Sequence, residues 1–220
     1  MKLELKYMVT GPLPNNVFFL VDEESKDCVI VDPSFEPELQ LQTIREQGWN
    51  LKQVWVTHPH YDHIWGVKTV VTQTDPKPLL MISKDAEEWA NQQDSKFKMG
   101  MPMDELPPAG QYLAQGDRID FAGEEGLVEI REVPGHCPGS LVYYVPSMTI
   151  AFVGDAVFRE SIGRTDLPGS NHHLLLEKIR TQIFTLPDET ILLPGHGEST
   201  TVAHEKENNP FLFSSENHRL

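Results

Sequence analysis

Apolar and polar residues follow one another in short blocks, and the period of each block predicts an element. Val17–Val21 and Cys28–Val31 are strand-length runs separated by the polar stretch Asp22–Asp27, a hairpin pattern. Ahead of them, MKLELKYMVTGPLP alternates charged and apolar side chains, which predicts a first strand and leaves no apolar signal-peptide core. Over Glu36–Gln47 the spacing becomes helical, with Leu39, Leu41 and Ile44 inward and Gly48 as the stop. Val54–Thr57 predicts a buried strand running straight into His58. A helix over Ile64–Val71, a strand over Leu79–Ile82 and a helix over Asp85–Asn91, capped by Ser83, follow. Lys96–Gly110, with three Met, three Pro and two Gly, predicts an irregular, mobile loop.

Strand patterns resume at Arg118–Phe121, Leu127–Val133, Leu141–Val145 and Thr149–Val153. Asn171–Phe184 predicts a helix capped at Ser170 or Asn171, with Leu174, Leu175, Ile179 and Ile183 for the core. Ile191–Leu193 is expected as the last strand and Thr201–Asn208 as the last helix. Two central sheets with helices outside would satisfy this order. No linker, charge block or short repeat divides the chain, so residues 1–220 are expected to form one domain.

Composition narrows the function. Hydrophobic residues make up 39% and charged residues 23%, as in ordinary soluble domains, and no apolar run approaches a membrane span. The net charge of −15 disfavours nucleic acid and anionic lipid, which need clustered Lys and Arg. Two cysteines, Cys28 and Cys137, cannot make a disulfide framework. The expectation is a cytoplasmic protein, monomeric or homodimeric, that acts on a small molecule.

The chemistry concentrates in Thr57-His58-Pro59-His60-Tyr61-Asp62-His63. In extended chain His58 and His60 point the same way, and Pro59 keeps His58 out of helical geometry. Asp62 and His63 leave along another direction, which suits a second, adjacent metal. Imidazole and carboxylate together bind zinc, iron or manganese without any thiolate. Three further candidates follow strand patterns: His136 after Val133-Pro134-Gly135, Asp155 after Phe152-Val153-Gly154, and His196 after Leu193-Pro194-Gly195. Glycine beside each lets the backbone turn at a strand end, where the active sites of layered α/β proteins gather. His172, His173, His204 and His218 fall at helix starts, in a helix or in the tail and are not expected as ligands.

The ordered set HxHxDH, His, Asp, His resembles the metallo-β-lactamase superfamily over nearly the whole chain. That resemblance implies an αββα four-layer sandwich with metals between the sheet edges. It also implies that His58, His60 and His136 bind a first metal, that Asp62, His63 and His196 bind a second, and that Asp155 bridges them. Zinc is the favoured pair of ions, with iron or manganese as alternatives. True β-lactamases of the fold replace or lose part of the HxHxDH block, so the complete block points to the hydrolase branch. Within it, Gly163-Arg164-Thr165-Asp166 and the closing Thr200-Thr201 and Asn209-Pro210-Phe211-Leu212 resemble the glyoxalase II-like short hydrolases. Full-length glyoxalase II adds a C-terminal helical domain that helps hold glutathione, for which little chain is left after His196.

The implied reaction is hydrolysis. Two cations about 3.5–4 Å apart share a water and lower its pKa towards about 7, supplying hydroxide. Asp62 is the candidate catalytic residue, orienting the nucleophile or taking its proton. No further histidine adjoins the ligand blocks to act as general acid, and a thiolate, whose thiol has a pKa of about 8.5, leaves without one. Thioesters, including hydroxyacyl-glutathione, are therefore the expected substrates, with Tyr61 and Cys137 as weak candidates for assistance. Arg159 and Arg164 are candidate contacts for a substrate carboxylate, Arg164 having an ion pair with Asp166 as its alternative, and Cys137 is a weaker contact. The competing expectation is a persulfide dioxygenase of the same fold, with one iron on His58, His136 and Asp155. A non-enzymatic metal-binding module would need no open metal position.

Overall fold

In the computed structural model, residues 2–92, 105–123 and 126–212 are described. Period-two alternation builds the first sheet. In β2 (Asn15–Asp22) every residue is buried, Val17, Phe19 and Val21 to one face and Phe18 and Leu20 to the other. A strand buried on both faces must lie inside a layered protein. It pairs antiparallel with β1 (Leu3–Thr10) and β3 (Asp27–Val31). Beyond β3 the sheet continues in parallel through β4 (Asn50–Trp55), β5 (Leu79–Ile82) and β6 (Gln111–Tyr112). Between these strands lie α1 (Pro37–Glu46), α2 (Tyr61–Ile64), α3 (Val67–Gln73) and α4 (Lys84–Gln92).

The second sheet contains β7 (Arg118–Asp120), β8 (Leu127–Glu132), β9 (Leu141–Val145) and β10 (Ile150–Gly154). A separate hairpin, β11 (Val157–Phe158) with β12 (Ser161–Ile162), leaves its edge before α5 (His172–Lys178). β13 (Ile191–Pro194), β14 (Thr200–Thr201) and α6 (Val202–Asn208) end the order, and the sheet runs β14-β13-β10-β9-β8-β7.

Three apolar layers define the architecture. Phe18, Leu20, Val31 and Trp55 of the first sheet meet Val128, Ile130, Tyr143 and Phe152 of the second. The other face of the first sheet packs on Leu41, Ile44, Val67, Val70 and Ala86 of its helices, and that of the second on Leu175, Ile179, Ile183 and Val202. This is the expected αββα sandwich. Trp55 and Tyr143 stack across the central layer with centroids 5.0 Å apart, and the Tyr143 hydroxyl donates to Val56 O at 2.9 Å. Truncating so large a buried ring costs about 3–5 kcal/mol. Among the described residues no helix is long and apolar enough to cross a membrane.

Several local expectations are corrected. Leu39 is 47% exposed and Gln40 takes the inward position, because its amide donates to Ser34 O (3.2 Å) and Phe35 O (2.8 Å). The helix expected over Ile64–Val71 is two helices. Gly66 breaks it by packing its backbone on the preceding loop, its N–H donating to Pro33 O at 2.8 Å. The helix expected over Asn171–Phe184 is α-helical to Lys178 and π-helical over Ile179–Ile183. Ile191–Leu193 is not the last strand, since β14 follows it. Much of Lys96–Gly110 lies outside the described residues; Glu105–Gly110 carries neither helix nor strand. His218 also lies outside them.

Candidate metal centre

The sandwich brings one end of several strands to a common edge. The chain leaves β4 extended, places His58 and His60 two residues apart, and then turns into α2, whose first turn carries Asp62 and His63. β8, β10 and β13 run out into His136, Asp155 and His196. The turns demand glycine. Gly154 has φ +50°, and a Cβ on Gly195 would lie 2.4 Å from His63 Cε1 and 2.5 Å from Asp155 Oδ1.

Seven ligand-type side chains converge there. His60 Nδ1 lies 3.1 Å from His58 Nε2 and 2.8 Å from His136 Nε2. At the other end His63 Nε2 and His196 Nε2 are 3.3 Å apart, 3.6 and 3.2 Å from Asp62 Oδ2. The donor atoms within each triad lie within 4.8 Å of one another. Asp155 faces both: its Oδ2 is 3.7 Å from His136 and 3.6 Å from His196, and its Oδ1 is 3.5 Å from His63. That Oδ1 is buried and makes no hydrogen bond. Inward-facing nitrogens and an orphaned carboxylate oxygen fit cations held between them, since buried polar atoms otherwise find partners.

The outer ring nitrogens fix which atom faces inward. His136 Nδ1 donates to Arg164 O (2.8 Å) and His196 Nδ1 to Leu13 O (2.7 Å). His63 Nδ1 lies 3.0 Å from Asp32 Oδ2, which also accepts from Thr57 Oγ1 at 2.6 Å, while Thr57 N donates to Asp32 Oδ1 at 2.7 Å. With its hydroxyl committed to Asp32, Thr57 Oγ1 accepts from His58 Nδ1 at 3.0 Å. Asp32 thus orients His63 directly and His58 through Thr57. Asn15 donates to Asp62 Oδ2 at 2.9 Å. The sequence reading missed both Asp32 and Asn15. For Asp32 the signal was present, a carboxylate directly after the buried run Val29-Ile30-Val31.

Electrostatics divides the two ends. Burial holds His58 well below the usual imidazole range and His60 at about 3, and it also lowers His136. These rings are neutral and ready to ligate. Burial also opposes charge on His63, but Asp155 and Asp62 outweigh it and push the ring well above its ordinary value. His196 is raised likewise, burial being overcome by its hydrogen bond to Asp62. Asp62 and Asp155 lie below the usual carboxylate range because the neighbouring His63 overcomes their burial.

The remaining candidates scatter. Arg164 is exposed and forked onto Asp166 (2.8 and 2.9 Å), so its guanidinium is engaged. Arg159 lines a cleft of about 530 Å³ beside His196, with Phe158, Ser161, Gly197 and Glu198. Cys137 is fully buried and burial raises its thiol pKa. The Tyr61 ring is half-buried 6.1 Å from Phe35. His172 and His173 are exposed, His172 beside Thr165, and His204 contacts Glu160.

Comparison with known proteins agrees with this geometry. Residues 10–196 match the family model described as the metallo-beta-lactamase superfamily. The chain belongs to that superfamily. A probable metallo-hydrolase of Bacillus subtilis, YqgX, is 35% identical over 211 residues, 96% of this chain and 98% of that protein. The hydroxyacylglutathione hydrolase GloC of Haemophilus influenzae is 32% identical over 196 residues, 89% of this chain and 92% of that protein. Among solved structures, the B3 metallo-beta-lactamase BLEG-1 superposes with TM-score 0.87 at 31% identity, covering 96% of this chain and 100% of that one. TTHA1623 in a di-iron-bound form gives 0.81 at 30%, covering 94% and 100%. The chain is thus a metallo-hydrolase of this superfamily with a candidate histidine and aspartate metal site.

Proposed function

We propose that the chain is a cytoplasmic binuclear metallohydrolase of small thioesters, in the manner of glyoxalase II. The observation that carries the reading is Asp155, with one oxygen towards His136 and His196 and the other, orphaned, towards His63. His58, His60 and His136 would hold one cation, Asp62, His63 and His196 a second, and Asp155 both. When bound, such a pair supplies hydroxide at neutral pH and Lewis-acid polarisation of an acyl oxygen. The di-iron form of TTHA1623 supports a count of two and leaves zinc, iron and manganese to be distinguished.

The chain's own groups do the rest. Asp62, ionised and held by Asn15, orients an attacking water and accepts its hydrogen bond. No proton donor for a poor leaving group adjoins the cluster among the described residues: Cys137 is buried, and burial raises the Tyr61 phenol. A thiolate leaves unprotonated, which favours thioesters over amides. The name of the GloC relative supports the same substrate class.

The test starts from protein purified without added metal. Its metal content is measured, and it is reloaded with zinc, iron or manganese. It is then assayed with a hydroxyacyl-glutathione, simple acyl thioesters, a β-lactam and, in an oxygen electrode, a persulfide. Two ions per chain and thioester turnover are expected. A single iron with oxygen consumption on persulfide would replace this reading by the dioxygenase.

A further inference from the structure

The cleft beside His196 has a wall that metal ligation does not explain. Hairpin β11–β12 contributes Phe158, Arg159 and Ser161, and the turn after His196 contributes Gly197 and Glu198. The Phe158 ring, 6.3 Å from that of His196, makes the wall next to the cluster apolar. Arg159 is exposed, and no ion pair or hydrogen bond engages its guanidinium among the described residues. In a protein with 33 acidic against 18 basic side chains, an uncommitted guanidinium beside the reaction centre is a specific placement. Arg164, five residues on, is taken by Asp166.

The hairpin is held from beneath. Its turn residue Glu160 adopts φ +56°, a conformation that a non-glycine residue keeps only when its surroundings enforce it. The enforcing group is Glu205 on α6, a fully buried carboxylate. It accepts from Glu160 N at 3.2 and 3.0 Å, from Thr200 Oγ1 at 2.6 Å and from Asn209 Nδ2 at 2.7 Å. Asn209 Nδ2 also donates to Ser161 O at 2.9 Å, so both sides of the turn are tied to α6. The Glu160 carboxylate is bound by His204 at 2.9 Å, so the acid next to Arg159 in sequence is already engaged. So much buried hydrogen bonding to one carboxylate is costly to assemble, and it fixes the backbone of the turn from which Arg159 projects.

We propose that Arg159 is the recognition group for a carboxylate carried by the substrate, and that Glu205 is a positioning residue for it. The inference rests on the hydrolase reading and narrows its substrate class: thioesters with a carboxylate on the acyl or the thiol side. Phe158 covers the methylenes that link the carboxylate to the reacting carbonyl.

The zinc-loaded protein is assayed with two isosteric pairs. S-acetyl-3-mercaptopropionate against S-acetyl-3-mercaptopropionamide puts the charge on the thiol. The S-succinyl against the S-succinamoyl ester of 2-mercaptoethanol puts it on the acyl group. In at least one pair kcat/KM favours the acid about tenfold, the size of a contact worth about 1.4 kcal/mol, and the preference resides in KM. Arg159→Gln brings the ratio near one and Arg159→Lys restores part of it. Glu205→Gln lowers the same ratio through KM, with zinc content and Tm measured on each sample. Should Glu205→Gln fail to fold, the Arg159 pair still decides. Calorimetric binding of 3-mercaptopropionate against 3-mercaptopropionamide gives a readout independent of turnover. A ratio near one in both pairs, or one that survives Arg159→Gln, overturns the subsite while the hydrolase reading stands. An Arg159-dependent preference in calorimetry without turnover of any thioester overturns the hydrolase reading and keeps the subsite.

Discussion

Replacing Asp32 by asparagine changes one buried atom, and the hydrogen bonds around it set the outcome. Asp32 Oδ1 serves Thr57 N, and Oδ2 serves both Thr57 Oγ1 and His63 Nδ1. If the amide oxygen keeps Thr57 N, the new NH2 faces two donors; if it flips, NH2 faces N–H. Either way at least one buried donor is stranded, at about 1–3 kcal/mol. The relief open to His63 in its neutral, metal-binding form is to keep its one proton on Nε2, the atom that faces Asp155 and His196, rather than on Nδ1. A cation needs that atom bare. Losing such an outer carboxylate typically costs about 10–100-fold in metal affinity, or about 1.4–2.8 kcal/mol. The loss is expected at the Asp62, His63 and His196 end, because His58 keeps Thr57 Oγ1 as its acceptor. Competition between zinc and a chromogenic chelator, on protein whose fold is checked by circular dichroism, reads both affinities. One affinity should be retained and one weakened. Two unchanged affinities in a folded Asp32→Asn protein would refute the argument that Asp32 sets the His63 tautomer.

Three further outcomes are expected. Asp155→Ala loses bound metal and nearly all activity whereas His172→Ala loses neither, checked by elemental analysis and turnover; equal effects would undo the ligand set. Gly195→Ala drives a methyl into His63 and Asp155, with a cost of about 1–3 kcal/mol from overpacking and reduced metal occupancy, read by Tm and metal content. Metal uptake depends on pH at one end only: His63 and His196, raised, must each release a proton, so affinity there climbs as pH rises through their raised values. His58, His60 and His136, lowered by burial, give up their protons at lower pH than His63 and His196 and load first. Calorimetry in buffers of different ionisation enthalpy counts those protons, and release by both ions alike would contradict the division.

His58, His136, Asp155 and His196 were legible because each comes at or just past the end of an apolar strand with glycine or proline beside it, and His60, Asp62 and His63 by their spacing from His58. Two central sheets with helices outside were legible from the order of the elements, and the structure agrees: Val17–Val21 of β2 and all of β10 are apolar, as in a strand covered on both faces. What escaped detection lacks a period. β11, β12 and β14 are two residues long, too short to alternate. Gln40 is buried through two bonds to a loop that no helical wheel contains, and Leu39 yields its place to it. Asp32 escaped because Asp-Pro at a strand end reads as a turn, and its role needs Thr57 and His63 folded over it.

The two sheets are consecutive stretches of chain, with residues 113–117 as the passage between them. His58, His60, Asp62 and His63 fall before that passage, and His136, Asp155 and His196 after it. Gly116 lies in it, exposed and with open space around its α-carbon. Severed there, the protein becomes two fragments, each with a sheet, its own helices and an incomplete set of donors. Neither fragment can make the triad His58, His60 and His136, which spans the cut, as does Asp62, His63 and His196. Reunion of the halves would therefore be the event that completes both triads, and uptake of an added metal ion would report complementation in a concentration-dependent way.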